Sequence, residues 1–189
     1  MFTYKLDKDA YLKPLELHEA QDFFDLIEQS KSHLRPWMPW TDWTNQVKDT
    51  EGFIRSTMEQ VGRNDGFQAG IWYKGKAAGV IGFHRVDWTN KATSIGYWLG
   101  EAFIGKGLMT KASAPLLEHA FTAYDLERIE LRASTQNKKS QLVAERLGFT
   151  KEGIARRAEW VDGQFHDHIV YSLLKEEWKK SSEQKVVFY

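Results

Sequence analysis

Apolar residues recur along this chain with two different periods, and the switches between them mark out strands and helices. Residues 10–17 (Ala-Tyr-Leu-Lys-Pro-Leu-Glu-Leu) read as a first strand, and over residues 19–30 Ala20, Phe23, Phe24 and Ile27 fall on one helical face. The pattern then breaks. Between His33 and Trp43 the chain packs Trp37, Trp40 and Trp43 with Pro36 and Pro39, which fits neither period. Asp49 reads as the N-cap of a second helix that closes near Gly62-Arg63-Asn64, and Asp65-Gly66 marks a turn. β-Branched and aromatic runs at residues 67–73, 77–86 and 93–99, joined by Lys74-Gly75-Lys76 and Trp88-Thr89-Asn90-Lys91, predict an antiparallel meander. Residues 108–124 repeat apolar positions at helical spacing, with Pro115 inside predicting a kink or a broken hydrogen-bond ladder. Residues 128–134 alternate as a strand, and Asn137 opens a helix through Leu147 that Gly148 closes. Residues 149–160 and 165–173 form a hairpin around Asp162-Gly163. Residues 175–185 are charged and predict a frayed tail ending in the apolar tip Val186-Val187-Phe188-Tyr189.

The organising stretch is Ser94-Ile95-Gly96-Tyr97-Trp98-Leu99-Gly100-Glu101-Ala102-Phe103-Ile104-Gly105-Lys106-Gly107-Leu108-Met109-Thr110, a strand, a glycine-punctuated turn and a helix start. Such a turn aims several backbone N–H groups one way at a helix terminus that carries about half a positive charge, which suits a phosphate or pyrophosphate. Gly100, Gly105 and Lys106 match most of the nucleoside-triphosphate loop, but Gly107 stands where that loop needs a magnesium-binding hydroxyl. The dinucleotide fingerprint fits Gly105 and Gly107, but Thr110 replaces its third glycine and no βαβ unit opens the chain.

A third loop fits in context. Ile95-Gly96-Tyr97-Trp98-Leu99, Gly105-Lys106-Gly107-Leu108-Met109-Thr110, Asn137-x-x-Ser140 and Leu147-Gly148-Phe149 together resemble the GCN5-related N-acetyltransferases (GNAT), specifically the RimJ/RimL branch of ribosomal-protein N-terminal acetyltransferases. The resemblance spans about residues 12–174; the loop departs from the family pattern with Ile104 first and Met109 last. It implies an α/β (α+β) fold with a mixed, mostly antiparallel central sheet, flanking helices and one splayed pair of parallel strands, here residues 93–99 and 128–134. In that fold acetyl-CoA, the co-substrate, enters the gap with its pantetheine as a pseudo-strand that satisfies unpaired backbone groups. Its contacts are then expected from Tyr97, Trp98, Leu99, Gly105, Lys106, Gly107, Leu108, Met109, Thr110 and Asn137, with the N–H groups of residues 97–99 polarising the thioester oxygen.

Amine attack on a thioester needs a neutral amine, a polarised carbonyl and a stabilised thiolate. Many relatives carry a glutamate base on the strand at residues 94–99, and this chain has no carboxylate there. Arg157-Ala158-Glu159-Trp160 resembles the RimL segment with the proposed base, which makes Glu159 the candidate; its alternative is a solvated strand glutamate. Asn137 and Ser140 are ordinary turn and N-cap types. By resemblance the asparagine bonds the pantetheine arm and the serine lies near the thioester sulfur. Trp37 and Trp40 form either a core plug or a wall of the acceptor pocket. Tyr97 and Tyr171 read as core aromatics with satisfied hydroxyls. In His166-Asp167-His168 adjacent strand positions face opposite ways and no third ligand presents itself, so no metal is expected and Asp167 is assigned a structural hydrogen bond.

Composition narrows the picture further. With 189 residues, 42% hydrophobic, the chain can bury one sizeable core, so a single domain at residues 1–175 and a tail at 176–189 are expected. Twenty-six basic residues balance 26 acidic ones, giving no global pull toward nucleic acid or an anionic membrane. The absence of cysteine excludes disulfides, thiolate metal sites and an enzyme thioester intermediate. No long apolar run or signal-like N-terminus is present, which predicts a cytoplasmic protein. The expected acceptor is an amine: the N-terminus of a protein, possibly ribosomal, or a small molecule such as a polyamine or antibiotic. A non-catalytic CoA-binding module and, from the resemblance, a homodimer are also open.

Overall fold

The computed structural model describes the backbone of residues 3–186 and the side chains of residues 3–180. In chain order the elements are β1 Tyr4–Lys5, β2 Ala10–Pro14, α1 Ala20–Gln29, α2 Lys31–Leu34, α3 Val47–Gly62, β3 Gln68–Tyr73, β4 Lys76–Asp87 and β5 Ala92–Leu99. Then come α4 Leu108–Thr122, β6 Arg128–Ser134, α5 Lys138–Arg146, β7 Thr150–Val161, β8 Gln164–Leu174 and α6 Lys175–Val186. The eight strands form one sheet in the order β1-β2-β3-β4-β5-β6-β8-β7, antiparallel throughout except for the β5–β6 pair.

The two-residue period of the strands distributes their side chains to two layers. Ile71 and Ile81 join Leu108, Leu116 and Phe121 of α4 on one face, and Trp72 and Val80 join Phe23, Leu26 and Ile54 of α1 and α3 on the other. The sheet is thus buried between helices on both sides. On α1 the inward face is Ala20, Phe23, Leu26 and Ile27; Phe24 is only half-buried, because Leu26 rather than Phe24 completes the stripe.

Several sequence expectations shift in detail. The helix expected to start at Asp49 starts at Val47 instead, with Gln46 as N-cap. Asp49 still caps it from the third position, its carboxylate accepting from the N–H groups of Asn45 (2.9 Å) and Gln46 (3.1 Å), which lowers its pKa. Helix α4 runs from Leu108 to Thr122 with Pro115 inside it, and the proline, having no N–H, leaves the expected break of one bond in the ladder. The tail expected to fray from Lys175 is helix α6 instead: the Glu177 carboxylate accepts from the Leu174 N–H at 2.9 Å, and Trp178 packs on Phe121 with ring centroids 5.4 Å apart. Of the apolar tip, residues 187–189 and the side chain of Val186 lie outside the described residues.

Two interruptions of the ladder re-aim side chains toward one end of the sheet. Between Phe83 and Val86 the β4–β5 register shifts, leaving His84 and Arg85 in a bulge. A second shift between Ala155 and Glu159 bulges β7 against β8, with Arg157 at φ 50°. The first is fixed from beneath by Gln60, a buried residue of α3 whose side-chain amide donates to the carbonyls of Asp65 (2.8 Å), Phe83 (2.8 Å) and His84 (3.0 Å). Replacing Gln60 by leucine leaves these carbonyls without that donor, so Gln60→Leu is expected to lose about 1–3 kcal/mol of stability. Urea unfolding with an unchanged m-value checks it.

Candidate active site

The site begins where the sheet fails to close. β5 and β6 pair in parallel only at Ala92↔Arg128, Thr93↔Ile129 and Ser94↔Glu130, after which they diverge. Each remains bonded on its outer edge, β5 to β4 and β6 to β8. The inner edges of residues 95–99 and 131–134 therefore face a gap in which backbone donors and acceptors have no strand partner. A cavity of about 780 Å³ opens there, walled by Gly96, Tyr97 and Trp98 from β5 and by Leu131, Ala133 and Ser134 from β6.

Beyond β6 the chain turns into α5, and Asn137 caps that helix, its side-chain oxygen accepting from the Ser140 N–H at 3.1 Å. The cap reading of Asn137 is thereby realised, and the residue also lines the cavity. Ser140 faces Tyr97 across the gap: the phenol lies 3.0 Å from the serine Oγ and 3.3 Å from its carbonyl oxygen. Burial pushes the Tyr97 phenol up to about 12, against the lowering effect of its bond to Ser140. It is therefore a fully protonated hydroxyl at neutral pH, coupled to a second hydroxyl that borders the cavity.

After β5 the chain makes a single turn at Glu101–Phe103 and reaches α4 through Gly105 (φ 77°) and Gly107 (φ 69°), both left-handed. Gly107 is the N-cap of α4. A Cβ at either glycine would meet nothing within 4 Å, so the space before the helix is open. Helix geometry leaves the N–H groups of Leu108, Met109 and Thr110 without intrahelical acceptors at that opening. The side chains of Leu108 and Met109 are core residues, so these two can serve a ligand through backbone alone. Leu99 likewise packs against the core, while Lys106 is exposed beside the opening.

The other end of the cavity is aromatic and titratable. Trp37, Met38 and Trp40 line it. Trp40 tilts against Trp98 with centroids 5.6 Å apart, and Trp37 stands at 82° to His166 at 6.3 Å. Trp43, by contrast, is 73% exposed and takes no part. Arg35 bonds both Asp42 (2.9 Å) and Asp162 (3.3 Å), tying the tryptophan loop to the β7–β8 turn. The bulge in β7 brings Glu159 to the cavity, where its carboxylate lies 3.3 Å from His168 Nε2. The bulge is held by Asp167, which accepts from the Arg157 N–H at 2.7 Å, the structural bond expected of it.

Tyr97, Trp98, Asn137, Ser140, Trp37, Trp40 and Glu159 thus share one cavity, with the Gly105–Gly107 turn following directly from its β5 wall. His84 was missed from sequence: the β4 bulge delivers it to the same cavity, where its Nδ1 lies 3.0 Å from Ser94 Oγ and burial lowers its pKa. Its ring rests on Gly96, where a Cβ would come within 2.3 Å of Nε2. His166 and His168 were weighed only as metal ligands, yet both line the cavity.

Comparison with known proteins agrees with this geometry. The model of the acetyltransferase (GNAT) domain matches residues 10–150. The chain is 36% identical over 181 residues to YdaF of Bacillus subtilis (strain 168), a protein provisionally named as a ribosomal N-acetyltransferase, covering 95% of this chain and 98% of that one. It is 26% identical to the ribosomal-protein-serine acetyltransferase of Escherichia coli (strain K12), covering 90% and 95%. Among solved structures, the microcin C7 self-immunity acetyltransferase MccE, in complex with acetyl-CoA and AMP, superposes with a TM-score of 0.86 at 34% identity over 90% of this chain and 94% of that one. RimL, a ribosomal-protein α-N-acetyltransferase in complex with coenzyme A, gives 0.87 at 25% identity over 92% and 98%. With the splayed parallel pair, the left-handed glycine turn and a family match over most of its length, the chain belongs to the GNAT acetyltransferases.

Proposed function

We propose that this protein transfers the acetyl group of acetyl-CoA to the α-amine of a protein N-terminus, a ribosomal protein being the first candidate, by direct attack within one ternary complex. The observation that carries this reading is a cavity that opens in the gap between diverging strands and holds a carboxylate among its lining residues, while the strand that walls it leads on through the glycine turn to the open N-terminus of α4. The gap suits the amide-bearing pantetheine arm, which would take up the inner edges of β5 and β6. The start of α4 suits the pyrophosphate. The names of the ribosomal-protein relatives support the acceptor class.

The residues then divide the work. The Glu159 carboxylate takes a proton from the acceptor ammonium, directly or through water; the freed nitrogen bonds to the thioester carbon, the C–S bond breaks, and a second proton from that nitrogen passes to the departing sulfur, leaving an amide and a free thiol. As charge gathers on sulfur, the Ser140 hydroxyl donates a hydrogen bond to it, and the Tyr97 hydroxyl, turning from the serine carbonyl, donates to Ser140 Oγ. A thiol with a pKa near 8.5 is a good enough leaving group for such a bond to suffice. An α-amine with a pKa of about 7.7–8.0 costs roughly 1 kcal/mol to deprotonate at pH 7, whereas a lysine near 10.4 costs about 4.6. A carboxylate manages the first more readily. A small amine bearing a planar ring is the second reading, favoured by the indoles of Trp40 and Trp98 at 5.6 Å and by the likeness to MccE.

Three variants and one product analysis test the assignment. Gly107→Asp, a residue that tolerates the left-handed conformation, should fold yet lose acetyl-CoA binding by calorimetry, because its carboxylate would repel the pyrophosphate; unchanged affinity removes the turn from the site. Ser140→Ala should lower kcat about tenfold while acetyl-CoA affinity changes little, as expected for a bond made when charge develops. Glu159→Gln should lower turnover at pH 7 by about 100-fold and recover partly toward pH 9, where free amine is abundant. In the same assay mass spectrometry should place acetyl groups on peptide N-termini; acetyl groups on lysine side chains alone would refute the acceptor class.

A further inference from the structure

Next to Glu159, one buried group lacks a partner. His166 is 5% exposed and lines the cavity, and its Nε2 has no hydrogen-bond partner among the described residues. Its other nitrogen, Nδ1, lies 3.3 Å from Ser134 Oγ, which already accepts from the Gln136 N–H at 3.2 Å. Where the serine hydroxyl donates to Nδ1, one of the two arrangements this contact allows, the neutral ring carries its proton on Nε2. The result is a buried N–H donor with nothing to donate to, a costly arrangement in a folded protein and one that calls for an explanation. Trp37, on the cavity-lining loop, stands nearly perpendicular to the His166 ring with centroids 6.3 Å apart.

His166 is also the direct cross-strand partner of Glu159 in the β7–β8 ladder. Directly opposed residues share a face, with Cβ atoms about 4.5–5.5 Å apart. A carboxylate for an amine and an N–H for an acceptor atom therefore stand side by side. An α-amine followed by a carbonyl offers the matching pair, with nitrogen and oxygen about 3 Å apart across two carbons. A lysine side chain or an alkyl polyamine carries no carbonyl there.

We infer that His166 Nε2–H reads the first carbonyl oxygen of the acceptor, with Trp37 displaced as the acceptor enters, and so restricts the enzyme to α-amino carbonyl compounds. This role rests on the α-amine reading of the function. His166 is a specificity residue: it touches the acceptor but moves no proton in the reaction.

The test compares a short peptide bearing a free α-amine with the same peptide whose first carbonyl is reduced to CH2, in the wild type and in His166→Ala. The difference in amine basicity cancels when the two preferences are divided. The wild type should favour the peptide, and His166→Ala should lose about 10–100-fold in kcat/KM on the peptide, with a change of less than about threefold on the reduced analogue. His166→Asn, which keeps an N–H donor, should recover part of the loss. Unchanged acetyl-CoA affinity verifies the fold; if the alanine variant does not fold, His166→Phe, which preserves the ring against Trp37, takes its place. Equal losses on both substrates would overturn the role of His166 while leaving the α-amine reading standing. A wild type that acetylates lysine side chains alone would overturn both.

Discussion

The site depends on two parallel strands that pair over three positions and then part. Backbone groups buried without partners are expensive, so a gap in mid-sheet persists only where the surroundings hold the strands apart and something else can satisfy the exposed edges. Here each strand is held from outside, β5 by β4 and β6 by β8, and the far end of the gap is spanned by the Tyr97–Ser140 hydroxyl pair rather than by a ladder. The open edges, the cavity and the run from β5 into the glycine turn all stem from that divergence.

Irregularity elsewhere in the sheet serves the same place. The bulge in β4 brings the exposed His84 to the rim of the cavity, and the bulge in β7 brings Glu159 there. Both are braced by side chains that take no part in the cavity's chemistry: Gln60 bonds the carbonyls of Phe83 and His84, and Asp167 bonds the Arg157 N–H. A bulge re-aims one side chain at the cost of ladder bonds, and a bracing polar contact offsets that cost. The tryptophan loop and the β7–β8 turn are then linked by Arg35 to Asp42 and Asp162. Because such exposed pairs are weak, this link orders the tryptophan loop without locking it.

Most of the framework was legible in the chain itself. Period-two runs gave the strands, Asp162-Gly163 gave the hairpin turn, with φ of 47° and 77° at its two positions, and Gly107 marked the helix start. These are local matters: alternation, turn chemistry and left-handed backbone are properties of a few consecutive residues. The resemblance to the family brought Tyr97, Asn137, Ser140 and the glycine turn forward together, and in the structure they flank the two strands that part. The misreadings were local competitions that tertiary contacts decided. Gln46 displaced Asp49 as cap, because the helix could start earlier with the Asp49 carboxylate reaching back, and Trp178 turned a charged tail into a helix by finding Phe121.

What the sequence by itself determined, then, is the order of elements, the glycine turn before α4 and the family. What only the tertiary structure decided is which side chains meet. His84, Glu159 and His166 lie on three strands, far apart in sequence, and two of the three enter the cavity through ladder irregularities that no periodicity announces. The pairing of Tyr97 with Ser140 joins residues 43 positions apart, and the unpartnered Nε2 of His166 is visible only once Ser134, Gln136 and Trp37 have been placed around it. The physical reason is that period and turn chemistry act over a few residues, while hydrogen-bond satisfaction of a buried group is a sum over everything that packs against it.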